Sequence, residues 1–284
     1  MLTRALSQAF LLGLIAIMVA LFAATRSNPS QALILSVAAI VLIALSLIME
    51  RLFPLHSDWN EGQGETGGDI TSFVLIFGLL DGVLKFLMPF VILMLLPEMQ
   101  VGLALLFWSE VVLVTLLIEF GAWISHWAHH RYPRLWAMHH SPERLYTLNN
   151  FRFHPLNHIA TYLLAFTPPL LLGFNQDALL AYAALTLPIV LFQHSNIRFD
   201  FGALNYLFNT NELHRWHHSA SPKEGTKNLG RAIVIWDQFF GTFLKPSVQS
   251  EPKTIGLFAA SLSFPKAQSL CRQLAWPFTK TCCA

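Results

Sequence analysis

Charge is scarce in this chain. Of its 284 residues only 12% are Asp, Glu, Lys or Arg and 54% are hydrophobic, whereas an ordinary soluble domain carries roughly 25% charged residues. That deficit identifies a membrane protein. Cysteine is nearly absent as well: Cys271, Cys282 and Cys283 all fall in the C-terminal tail, so neither a disulfide framework nor a Cys-based zinc site is indicated. The terminal Cys282-Cys283 pair leaves lipidation as an option. A net charge of +2, with no basic stripe interleaved with aromatics, gives no reason to expect nucleic acid as a partner. Repeats, low-complexity segments and recognisable haem, flavin or dinucleotide-binding domains are missing too.

Long apolar runs are present instead. Ala5 to Ala24 and Ala32 to Met49 carry no charge, and each is long enough to cross a hydrocarbon core of about 30 Å. The first exceeds the usual apolar length of a signal peptide and is followed closely by the second, so it reads as a retained span. A third run, Thr71 to Leu96, contains Asp81 and Lys85, which at i, i+4 neutralise each other within a helix. A fourth, Val101 to Ser125, carries Glu110 and Glu119 and passes straight into His126. Glu119 lies two turns before His126 on the same face, while Glu110 points the other way. The runs His158 to Phe174 and Asp177 to Gln193 are shorter and contain Pro168, Pro169 and Pro188, as a shallow in-and-out hairpin would. The polar, Gly-rich stretch Arg51 to Asp69 reads as a loop. All but Arg4, Arg26, Arg51 and Lys85 of the 18 basic residues follow Ser125, which puts the region beyond the fourth span, and the N-terminus with it, on the cytoplasmic side.

Histidine is concentrated there. Eleven of 12 lie between His126 and His218. His126, His129 and His130 form one cluster, His139 and His140 a second, and His214, His217 and His218 a third. Positions i, i+3 and i+4 project from one side of a helix, so each triplet can aim several imidazoles at one point. General acid and base chemistry needs one or two histidines rather than eight, and capping or interfacial imidazoles do not cluster in this way. Imidazole suits Zn, Cu, Fe and Ni, and the missing thiolates argue against a structural zinc site. More than four ligands imply two metals. With few carboxylates nearby, the centre is expected to be imidazole-rich rather than carboxylate-bridged. A metal transporter would place its ligands near mid-membrane on broken helices, whereas these clusters lie beyond span ends.

From Glu119 to Leu244 the chain resembles the fatty acid hydroxylase and sterol desaturase superfamily of membrane di-iron oxygenases. The resemblance is carried by His126 and His130 as HxxxH, HHSPERLYTLNNFRFHP from His139 to Pro155, QHSNI from Gln193 to Ile197, ELHRWHHS from Glu212 to Ser219, and WDQFFGTF from Trp236 to Phe243. It implies two non-haem Fe ions, O2 as co-substrate, and hydroxylation or desaturation of a membrane lipid chain or sterol-like substrate. It also implies His126, His130, His139, His140, His194, His214, His217 and His218 as ligand candidates. His154 is a ligand, a supporting group or a structural residue. Glu119, Asn149, Asn150 and Asn228 are candidates to orient the ligands from behind. Electrons would come from a separate donor, a ferredoxin or a cytochrome with its reductase.

Two departures stand out. Trp127 replaces the Arg that usually follows the first His. The second box, usually HxxHH, is about three residues short after Trp136 and lacks its first His. Either one ligand is absent, which would leave a non-catalytic protein with a degenerate metal site, or His129 takes the vacant place. The expected fold is all-α and integral to the membrane: four transmembrane helices, a short membrane hairpin and a cytoplasmic helical cap carrying a His-rich dimetal site. The transmembrane part spans 1–118, the His-box region 119–246 and the tail 247–284.

Overall fold

The computed structural model describes residues 3–62, 64–95, 105–245, 251–266 and 269–279. Cys282 and Cys283 lie outside them. The described residues form helices joined by turns, with three isolated backbone bridges and no strand. Four helices are long and apolar enough to cross a membrane: α1 (Arg4–Thr25), α2 (Gln31–Leu52), α3 (Thr66–Met94) and α4 (Phe107–Arg131). Such segments satisfy their backbone internally, which a hydrocarbon solvent requires. α1, α2 and α3 leave apolar side chains such as Ile17, Ile40 and Phe86 exposed, the surface expected to meet lipid rather than water.

The first two spans begin and end near the expected places, while the fourth, expected over Val101 to Ser125, is helical over Phe107–Arg131, residues 101–104 lying outside the described ones; the third differs at its start. α3 starts at Thr66 rather than Thr71, because Thr66-Gly-Gly-Asp69 is not loop. Asp69 is buried in this first turn and bonds Arg152 and Tyr146, so tertiary pairing overrides the weak helix propensity of the two glycines. α3 then passes through a π-helical stretch at Val74–Leu80. Asp81 and Lys85 form the expected i, i+4 ion pair at 2.6 Å, and His158 joins it at 3.3 Å.

Beyond α4, Pro133 opens α5 (Pro133–His140). α6 (Pro155–Ala165) returns along α4, and α7 (Gln176–Phe192) runs back beside it. α7 is apolar on all sides and buries Ala178, Ala181, Tyr182, Ala184, Ile189 and Phe192, as a helix surrounded by others must. It is therefore the centre of the bundle, packed on α1, α2 and α4. Gly121 lets α4 and α6 touch: a Cβ there would overlap the carbonyl oxygen of Leu164.

Ion pairs and caps mark the two ends. At one end Arg26 pairs with Asp177 at 2.8 Å, and Glu110 accepts the backbone N–H of Asn175. At the other Arg4 pairs with Asp200, and Gln8 donates to the Phe201 carbonyl. The N-terminus thus shares an end with the histidines that close α4. The remaining elements cover that end: α8 (Asn211–His217), α9 (Ile235–Phe239) and α10 (Leu270–Ala275). Residues 251–266 and 269–279 lie back on the His region, where Leu257, Phe264 and Trp276 form a second core with Trp136, Ala137 and Met138.

Candidate metal centre

Eight histidines converge in two groups of four. His126, His130, His140 and His217 form one, and His139, His194, His214 and His218 the other. Within each group, one ring nitrogen from every residue lies within 4.8 Å of the rest. His140 and His218 stack at 4.2 Å and link the groups. The neighbours His139 and His140 fall in different groups, as do His217 and His218.

Helix geometry explains the split. At about 100° per residue, positions i and i+4 diverge by about 40°, while i+3 and i+4 are about 100° apart. His214 and His218 therefore aim at one group and His217 at the other. α4 repeats the pattern, with His126 and His130 in one group and His129 turned away into neither. The spacing does not send a whole HxxHH triplet to one point. His154 is elsewhere: its Nδ1 caps α6 by accepting from the Leu156 N–H, and its Nε2 donates to the Leu274 carbonyl.

Partners behind the rings set their tautomers. Asn149 donates Nδ2–H to the Arg144 carbonyl, which turns its Oδ1 toward His194 Nδ1 at 2.7 Å. His139 Nδ1 donates to the Arg152 carbonyl at 3.1 Å, His126 Nδ1 to the Leu229 carbonyl at 2.8 Å, and His217 Nδ1 to the Lys227 carbonyl at 2.9 Å. Each of these rings thereby presents its Nε2 lone pair inward. His194 Nε2 and His214 Nε2 stand 3.0 Å apart, His218 Nε2 and His214 Nε2 3.2 Å, and His217 Nε2 and His140 Nε2 3.1 Å. Nδ1 of His140, His214 and His218, and both nitrogens of His130, are buried without a hydrogen-bond partner. Crowded lone pairs and orphaned imidazole nitrogens fit a cation in each group.

Burial supplies the required protonation state. It holds His140, His194, His214, His217 and His218 well below the ordinary imidazole range, with neighbouring imidazoles adding to the effect. The same cause pushes His139 down to about 3. All six are neutral and ligand-competent at pH 7.

Buried carboxylates and amides brace this arrangement. Glu119 reaches no imidazole: it accepts from the Tyr182 hydroxyl and from the backbone N–H groups of Ala232 and Ile233. It anchors the loop that carries the Leu229 carbonyl. Asn228 sits in the same loop at φ 55° and bonds Leu213 and Leu244; Asn tolerates this left-handed backbone better than most residues. Asn150 donates to the Val190 carbonyl and ties the box to α7. Asn149 is the one of the four that meets a ring.

Sequence reasoning missed three carboxylates. Asp237 accepts from the N–H groups of Leu229 and Gly230 and from Thr242 and Trp123, holding the carbonyl that His126 uses. Asp69 pairs with Arg152, whose carbonyl holds His139. Glu50 accepts from Thr147 and Asn196, at the two chain segments that carry Asn149 and His194. The cue for Glu50 and Asp69 was a charge at the very end of an apolar run. Asp237 stood inside the quoted WDQFFGTF.

A helical bundle with four helices long and apolar enough to cross a membrane, and two four-imidazole groups at one end that could each hold a metal ion, defines an integral membrane protein of the histidine-box class. The sequence profile of the fatty acid hydroxylase family matches residues 111–242. The chain is 32% identical over 250 residues to the ornithine lipid hydroxylase OlsE of Rhizobium tropici, covering 84% of this chain and 73% of that protein. Alkylglycerol monooxygenases of Danio rerio and Homo sapiens match at 28% and 29% over 46% and 44% of this chain. Those matches cover 29% and 28% of the monooxygenases themselves. The chain belongs to the fatty acid hydroxylase family, whose members among these relatives are lipid-modifying oxidoreductases. No solved structure matches it.

Proposed function

We propose that this protein is an O2-dependent oxidoreductase that hydroxylates a membrane lipid with two non-haem irons. The single observation that carries the reading is the pair of four-imidazole groups with their lone pairs turned inward. His126, His130, His140 and His217 would hold one ion, and His139, His194, His214 and His218 the other. Bound there, the metals would supply activation of O2 and oxidation of an unactivated C–H bond.

The protein's own residues do the rest. Asn149 and the carbonyls of Arg152, Lys227 and Leu229 fix the rings in the ligating tautomer. Glu119 and Asn228 act on the loop bearing Leu229, and Asn150 acts through α7. Trp136 and Phe258, 4.5 Å apart, cover His130 and keep bulk water from that face. Apolar surfaces of the spans receive the lipid, and a separate ferredoxin or cytochrome with its reductase delivers electrons. The distribution of Lys and Arg supports a cytoplasmic His face, where such donors reside.

Hydroxylation is favoured over desaturation by the names of the relatives, a hydroxylase and monooxygenases. The competing reading, a non-catalytic protein with a decayed box, rested on the short second box. Both groups reach four imidazoles with no residue in the vacant position and without His129, which favours the enzyme. Metal analysis of detergent-purified protein and lipid profiling of cells with and without the gene test the proposal. Two irons per chain and a lipid gaining the mass of one oxygen atom are expected; one zinc and an unchanged lipid profile would overturn it.

A further inference from the structure

α9 carries two opposed faces. Its inner face presents Asp237, fully buried and bonded to the Leu229 and Gly230 N–H groups. Its outer face presents Ile235 and Phe239, and Phe240 follows at its C-terminal end, all three exposed, with Phe239 75% accessible. Tyr206 and Leu207, exposed as well, extend this patch, since Gln238 donates to the Tyr206 carbonyl and the Val234 N–H to that of Leu207. Asp237 locks the helix in this orientation, so the aromatic rings have no inward alternative.

The patch continues the wall of a membrane span. Phe240 stacks on Trp123 at 4.5 Å, and Trp236 lies 4.6 Å from Phe120, both partners on α4. Trp123 is 13 residues past Glu110 on α4, or about 20 Å along the axis at 1.5 Å per residue. With the opposite boundary marked by Arg26, Glu110 and Asp177, that position lies about 10 Å from the near face of a core about 30 Å thick. Lys245 closes the rim with its ammonium 4.0 Å from the Tyr206 ring centroid. Aromatic rings with a flanking cation are the composition of a membrane interface.

We propose that α9, with Tyr206, Leu207 and Phe240, is an interfacial anchor seated in the headgroup and upper acyl layer of the bilayer that holds the spans. The inference stands on geometry alone, so its failure leaves the proposed activity untouched. The test uses the full chain with Cys271, Cys282 and Cys283 replaced by Ser, reconstituted in phosphatidylcholine nanodiscs. Phe239→Cys carries an environment-sensitive fluorophore, and Glu143→Cys, at an exposed polar site, is the reference. Lipid doxyl-labelled near the headgroup should quench the probe at 239 several-fold more than at 143, with the order reversed for aqueous iodide. Tyr206→Cys, at the other edge of the patch, should behave like 239 and guards against a local effect of one substitution. Equal iodide quenching at all three positions would show a water-facing patch. Protection of 206 and 239 from both quenchers would show a second copy of the chain there. Either result overturns the proposal.

Discussion

His194 Nδ1 and Asn149 Oδ1 are 2.7 Å apart, and the amide nitrogen of Asn149 is spent on the Arg144 carbonyl. The amide therefore cannot flip without losing both bonds, and His194 is held with its Nε2 turned toward His214. Asn149→Ala should lower metal affinity by about 10–100-fold, the usual cost of losing such a support. Competition with a chelator of known affinity measures it; an unchanged affinity would show that ring packing alone orients His194.

The two HxxHH triplets make unequal use of their middle histidine. His129→Ala should leave metal content at the wild-type level, while His140→Ala and His217→Ala should each reduce it, read by elemental analysis of purified protein. Loss of metal in His129→Ala would mean that α4 rotates when the centre is filled.

Acid should destabilise the metal-free protein in a defined window. His139 is pushed down to about 3 in the folded chain, against about 6.5 for a free imidazole. As pH falls below the higher value the unfolded chain takes up protons first, so stability is present above it and is lost progressively toward the lower. Thermal unfolding of chelator-stripped protein in detergent should show Tm falling from pH 7 to pH 4. Metal-loaded protein should resist until protons displace the ion. A flat profile for the stripped protein would mean these rings protonate freely in the fold.

Asp237→Ala leaves the N–H groups of Leu229 and Gly230 and the Thr242 hydroxyl short of an acceptor. Each buried orphan costs about 1–3 kcal/mol. A lower Tm together with weaker metal binding is expected, because the Leu229 carbonyl behind His126 moves; a lower Tm with unchanged metal affinity would separate the loop from the centre.

Gly121→Ala places a methyl group against the Leu164 carbonyl. Overpacking of this kind costs about 1–3 kcal/mol, and denaturation in detergent should report it.

Spans and ligands were legible in the sequence for different reasons. A hydrocarbon solvent demands long uncharged runs, so α1 and α2 announce themselves by composition. The eight imidazoles were legible because no other chemistry crowds so many. The allocation between groups was not: it depends on how α4, α5 and α8 face each other, which spacing along one helix does not contain. Glu119 was noticed as a charge within a span, yet its partners, Tyr182 and the Ala232–Ile233 backbone, lie 63 to 114 residues away. Asp69 and Glu50 were hidden for the same reason. The central place of α7 was missed because its length and prolines resemble those of a peripheral segment, while its enclosure is set by three other helices.

Adjacent residues that serve different groups have a thermodynamic consequence. An ion caught by His140 and His217 immobilises the same two helical ends that present His139 and His218 to the other group. On the proposed two-metal reading, the first ion would prepay the ordering of the second site, and loading is expected to be cooperative. A metal titration should pass from empty to full over a narrow range of concentration, with singly loaded chains scarce throughout.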